Sequence, residues 1–103
     1  MMPINPKTVD APNVRELLKK GAVLLDVRTH EEFVGCHLPH AINIPIEDLL
    51  QQLPVIRSWQ RPVVVYSADD QRSRRALVKL HNHGIPSVDA GSLEALRPRL
   101  AGI

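Results

Sequence analysis

The run Tyr66-Ser67-Ala68-Asp69-Asp70-Gln71-Arg72-Ser73 places a hydroxyl, two carboxylates and a guanidinium directly behind the apolar stretch "PVVVY". A strand that hands a short polar loop to a helix is where open α/β sheets bind their ligands. Ser67 heads that loop, and a serine becomes a useful nucleophile only with a base held beside it. No histidine stands near it in sequence, and the Gly-x-Ser-x-Gly turn of serine hydrolases is absent. The basic run Arg72, Arg74 and Arg75 could receive an anion, but directly after Asp69-Asp70 it reads first as a solvated helix face.

Three further groups carry chemistry-bearing residues. Asp26 and Arg28 close the run "AVLLDV" and its following turn, where an acid and a base of this spacing are expected to hold loops by buried hydrogen bonds and a salt bridge, with Glu32 as a partner. Cys36 and His37, with His40 beyond them, have the residue types of a metal site or a displaced nucleophile, but zinc would need a fourth ligand, for which His30 is the only nearby candidate, and no metal is expected. His81 and His83 fall at the end of a helix-like segment, where an imidazolium suits the helix dipole.

The elements that must position these residues alternate along the chain. "INPKTVD" supplies a short first strand, Asp10 caps a helix running through Leu17, Leu18 and Lys20, and Gly21 stops it. Residues 22 to 27 are continuously apolar until Asp26, as a strand buried on both faces should be. Thr29 or His30 opens a short helix ended by Gly35, "AINIP" gives a strand, and Ile46 to Leu53 reads as a helix with Leu49, Leu50 and Leu53 on one side. "PVVVY" is the most β-branched run and is assigned the central strand. A helix from Arg72 to His83, a strand at "IPSVDA" and a final helix at "SLEALRPRL", kinked or ended by Pro98, complete the pattern. Strands alternating with helices predict an α/β fold: one five-stranded, mainly parallel sheet with helices on both faces.

At 103 residues the chain is one domain, residues 1 to 103, and an apolar share of 44% suits a compact core. Phe33, Trp59 and Tyr66 are its only aromatics, too few for a platform on which single-stranded nucleic acid could stack. Thirteen Lys and Arg against eleven Asp and Glu leave +2, which gives no reason to expect a nucleic-acid partner. One cysteine excludes an internal disulfide. No run approaches the roughly 18 apolar residues of a membrane span, and the first ten residues lack the pattern of a signal peptide, so a cytoplasmic location is expected.

Asp26-Val27-Arg28, Glu31-Glu32-Phe33 and "GCHLPHAINIP", followed by "VVVYSADDQRS" and "VDAGSLEAL", together resemble the rhodanese family. The resemblance covers nearly the whole chain, with the motifs in the right order. It implies a site at the carboxyl end of the central strand, where the family carries a cysteine that takes sulfur from thiosulfate or another donor as a persulfide and passes it on. That chemistry needs a thiolate, which a helix N-terminus and a nearby arginine favour. The resemblance places Ser67 at that cysteine position, with Ala68, Asp69, Asp70, Gln71, Arg72 and Ser73 as the binding loop and Asp26, Arg28 and Glu32 as its support. It also places Cys36 outside the catalytic loop, as a buried or half-buried thiol.

A hydroxyl cannot carry a persulfide, so the expected function is a rhodanese-like domain without sulfur transfer, kept as a binding or regulatory module. The alternative is a thiosulfate sulfurtransferase whose cysteine was replaced by serine. Asp70 stands where the family has glycine, and with Asp69 it would repel thiosulfate, phosphate or arsenate unless Arg72, Arg74 or Arg75 compensates. A phosphatase or arsenate reductase would require a cysteine and a longer loop. The expected partner is a small anion or a sulfur-carrying protein, with no cofactor and no metal. The sulfur donor, the acceptor and the oligomeric state have no signature in these residues.

Overall fold

The computed structural model describes residues 11–100. Helix α1 (Ala11–Lys19) leads to β1 (Val23–Asp26), α2 (His30–Gly35) and β2 (Ile42–Asn43). A 3-10 turn at Ile46–Asp48 precedes α3 (Leu53–Ser58), β3 (Val63–Ser67), α4 (Asp70–Asn82), β4 (Ser87–Ser92) and α5 (Leu93–Arg99). The strands form one sheet in the order β2-β1-β3-β4, every pair parallel. The sheet therefore has four strands among the described residues, not five; the strand expected in "INPKTVD", like the Asp10 cap, lies outside those residues.

Alternation along β3 divides the core in two. Val63 and Val65 face Leu25, Ile56, Ala76 and Leu80, so α3 and α4 cover that side, while Val64 and Tyr66 face Val14, Leu24, Leu93 and Leu96, beneath α1 and α5. All five β3 residues are buried. A strand with helices on both faces has no side left for polar residues until its carboxyl end, which is why the run is apolar up to Ser67.

The helix expected over Ile46 to Leu53 does not form as one element. Pro54 stands at the start of α3, where a missing N–H costs nothing; continuing the helix upstream through it would lose a hydrogen bond and press the ring on a preceding carbonyl. The chain instead makes the 3-10 turn, which buries Ile46 and Leu49 but leaves Leu50 48% exposed, off the shared face expected with Leu49 and Leu53.

Helix α2 has six residues, too few to be stable alone, and its start is fixed by a reciprocal cap. Thr29 Oγ1 accepts from the Glu32 N–H at 3.1 Å, and Glu32 Oε1 accepts from the Thr29 N–H at 2.9 Å. Thr29→Ala is expected to lower stability by about 1 kcal/mol, read as a lower urea midpoint at unchanged slope. An unchanged midpoint would mean that packing alone holds α2.

Candidate functional site

The parallel sheet brings the carboxyl ends of β1, β2 and β3 to one edge, and the charged residues singled out in the sequence gather there. Asp26, fully buried at the end of β1, accepts from the Arg28 N–H at 2.9 Å, and both of its oxygens accept from the Arg28 guanidinium, at 2.7 Å for Nη2 to Oδ2. The same Nη2 donates to the Cys36 carbonyl, tying the end of α2 to β1. Asn43 Nδ2 donates to the carbonyls of Asp26 and Arg28, 3.0 Å each, which fixes β2 against the turn after β1. Burial opposes the charge on Arg28, but Asp26 outweighs it and holds the guanidinium above its usual range. Burial first, then the Asp26 carboxylate, pushes the Tyr66 phenol well above its ordinary value; its oxygen accepts from the Leu38 N–H at 3.3 Å. These buried polar groups are nearly all mutually satisfied, which makes them a frame for the loop that follows β3.

Ser67 ends β3 with no exposed surface, and its Oγ is the buried side-chain polar atom that finds no hydrogen-bond partner among the described residues. No histidine activates it. One ring nitrogen each of His37, His81 and His83 bonds a carbonyl instead, that of Phe33, Ser87 and Lys79 respectively. Beyond it Ala68, Asp69, Asp70 and Gln71 are exposed, Arg72 is half-buried and Ser73 is buried.

The two acids of the loop settle into the start of α4. Asp69 is the N-cap residue: Oδ1 accepts from the Arg72 N–H at 2.8 Å and Oδ2 from Arg72 Nε at 3.1 Å. Asp70 opens the first turn, and its Oδ1 lies against Gly91 so closely that a Cβ there would sit 3.0 Å away. Gly91 has a φ of +84°, so a side chain at that position would be strained as well as crowded. Ser73 Oγ donates to the Asp70 carbonyl at 3.1 Å, closing the turn from inside.

Each of the three guanidinium nitrogens of Arg72 has a carboxylate partner. Besides Asp69, its Nη1 and Nη2 reach Glu32 Oε1 and Oε2 at 3.1 and 3.3 Å, so one guanidinium joins α2 to the start of α4. This corrects the expected partner of Glu32, which pairs with Arg72 and not with Asp26 and Arg28. The short Asp26–Arg28 contact leaves that pair no need of a third charge, while Glu32 on the outer face of α2 reaches across to α4. The structure shows no pairing of Arg74 or Arg75 with either loop acid, so the bound guanidinium in the loop is that of Arg72.

The bridge holds both carboxylates below their usual range, Glu32 first through the Arg72 side chain and Asp69 first through the Arg72 N–H. A carboxylate depressed in the folded state adds stability that is present above its unfolded value and lost as pH falls through its folded value. The bridge should contribute fully above the usual glutamate value of 4.5 and fade below it. Arg72→Gln is expected to flatten the fall of Tm with pH in that acid range while changing Tm little at neutral pH, because exposed bridges contribute little. An unaltered acid limb in the variant would remove the bridge from the account.

Cys36 is exposed, not buried or half-buried. It follows α2 in an extended conformation that turns its carbonyl in to Arg28 and its thiol out to Arg97 of α5. Its neighbour His37 stacks on Phe33 with ring centroids 3.8 Å apart, so the pair is held apart from the loop after β3 by separate contacts.

Asp89 was not singled out in the sequence, and it shapes the far wall of the site. It is buried in β4, where Oδ1 accepts from the Gly91 N–H at 2.8 Å and so stabilises the bulge at which Val65 pairs with Asp89 but Tyr66 pairs with Gly91. Burial raises its carboxyl above the ordinary range. An acid inside an otherwise strand-like segment, two residues before a glycine, is the signal that would have found it.

Comparison with known proteins gives a consistent placement. The family model for the Rhodanese-like domain matches residues 10–95. Over 82 residues the chain is 37% identical to the uncharacterized protein YqhL of Bacillus subtilis, covering 80% of this chain and 64% of that one. It is 32% identical over 93 residues to the protein HIGH ARSENIC CONTENT 1, mitochondrial, of Arabidopsis thaliana, covering 80% of this chain and 55% of the relative. The chain thus spans less than two thirds of the length of these relatives. The crystal structure of a rhodanese-related protein from Thermoplasma volcanium superposes with a TM-score of 0.77 at 25% identity, covering 91% of this chain and 93% of the other.

Proposed function

The chain belongs to the rhodanese-like domain family, and from that premise we propose that it is a member without sulfurtransferase turnover, acting as a binding or regulatory module in the cytoplasm. The observation that carries this reading is Ser67. It stands at the end of the buried central strand, at the position we assign to the family's persulfide-forming cysteine, and no base activates it. An alcohol oxygen at that place can neither accept sulfur as a persulfide nor, unactivated, attack an ester or phosphate.

The loop supports a protein partner over a small anion. Asp69 already supplies the negative charge that the start of α4 favours, and Arg72 is shared between two carboxylates. A dianion such as thiosulfate would meet Asp69 and Asp70 with no uncommitted guanidinium at Arg72. Ala68 to Gln71 nevertheless present an exposed, hydrogen-bonded surface on a fixed frame, which suits recognition by a sulfur-carrying or other protein.

Thiosulfate-to-cyanide sulfur transfer tests the reading. The chain is expected to match the buffer blank, and calorimetric titration with thiosulfate to show no saturable heat. A rate well above the blank would overturn it.

A further inference from the structure

A concavity lies at the end of the sheet opposite the loop after β3. The residues leading into β3 and β4, with the end of α3, surround a cavity of about 300 Å³. Its floor is apolar, made by the buried Ile56 and Ile85, and Pro62 and Pro86 form its walls. The carbonyls of both prolines are taken by the sheet, accepting from the Val23 and Val63 N–H groups at 2.9 Å, so these walls are anchored to the strands they precede.

Two guanidiniums border this floor. Arg57 donates through Nη2 to the His83 carbonyl at 3.0 Å, which fixes the group beside the cavity while leaving its other N–H groups available. Arg61 forms no hydrogen bond or ion pair among the described residues, and no Asp or Glu lines the cavity. Gln60, between Trp59 and Arg61, holds a left-handed φ of +52°, as the residue that follows a helix commonly does, and its N–H donates to the Arg57 carbonyl at 3.1 Å. An apolar floor, two cations and the turn that ends α3 occur together here, and the volume is at the lower end of small-molecule sites.

We propose that this cavity is a binding site for a small monocarboxylate with a compact aliphatic body, independent of the loop after β3. The carboxylate lies between Arg61 and Arg57, where planar guanidiniums match its two oxygens, and the hydrocarbon covers Ile56, Ile85 and the proline rings. A bulkier polyanion would leave the floor uncovered, and a neutral hydrocarbon would leave both cations unmatched.

Trp59, the only tryptophan, adjoins Gln60 of the lining and packs partly buried against the cluster that contains Ile56 and Ile85, which makes its emission a suitable probe of changes at the floor. Titrating the full chain with 4-methylpentanoate should shift that emission saturably in the millimolar range, with backbone amide shifts confined to residues 56–61, 84 and 85. The uncharged 4-methylpentanamide and the Arg61→Gln variant should each bind about tenfold more weakly, as expected when a charge-assisted hydrogen bond is lost. Arg61 is exposed, so the variant folds. Equal responses to acid and amide, shifts outside these segments, no saturation, or unchanged affinity in Arg61→Gln would each overturn the proposal.

Discussion

Asp26→Ala is expected to destabilise the domain by about 3–5 kcal/mol, a large part of the roughly 5–15 kcal/mol that keeps a chain of this size folded. The cost comes from what remains. Arg28 is 5% exposed and would keep its charge, with the Cys36 carbonyl as its remaining hydrogen-bond acceptor and the Tyr66 ring 5.8 Å away as weak compensation. The backbone N–H of Arg28 would lose its acceptor as well. Guanidinium unfolding should show a sharply lower midpoint for the single variant. The double replacement Asp26→Leu with Arg28→Met should recover only part of the loss: apolar residues of similar volume often match a buried ion pair, but the Arg28 N–H and the Cys36 carbonyl stay without their partners. A loss under about 1 kcal/mol in the single variant would show that water reaches the pair, contrary to its burial.

The second large effect concerns sulfur chemistry. Ser67→Cys alone is expected to give little transfer from thiosulfate, because a thiol there would be buried and followed at two and three residues by carboxylates, and both influences disfavour the thiolate. Adding Asp69→Asn and Asp70→Gly should raise the rate by about 10- to 100-fold over the single replacement, on the basis of roughly one pH unit of thiol acidity per carboxylate removed. Asparagine is chosen at position 69 because it caps a helix about as well as aspartate, so the charge is lost while the start of α4 is kept. The pH dependence of iodoacetamide alkylation checks the cause independently, since it should move to lower pH in the triple variant. Should Ser67→Cys transfer sulfur as fast as the triple variant, the loop acids have no influence on the site.

Some of this site can be read along the chain, and some cannot. The burial of Val63 to Tyr66, the stop at Gly21 and the capping of α2 by Thr29 are local: each is decided by residues within a turn or by unbroken β-branched hydrophobicity. The pairing of Glu32 with Arg72 joins residues 40 apart, and no local pattern announces which of several charges will meet. Cys36 has the composition of a buried thiol, yet its exposure follows from the direction in which Arg28 draws its carbonyl. The helix expected over Ile46 to Leu53 failed for a subtler reason: the apolar spacing there fits either outcome, and the deciding residue, Pro54, stands just past the end of the segment. In the loop itself the hold of Asp69 on Arg72 is local, three residues apart, and only the second hold on that guanidinium, by Glu32, requires α2 to be in place.

The all-parallel sheet also determines how this chain must find its fold. No strand can pair with its neighbour through a tight turn, so no hairpin forms early to seed the sheet. The central pairing sets Val23 beside Val63, and everything from α2 to α3 has to be looped out before that contact returns any energy. Refolding should accordingly be slow for a chain of this length, in the range of milliseconds to seconds. Until β1 and β3 meet, "VVVY" remains a bare apolar strand, the segment most exposed to pairing with another chain while the protein is being made.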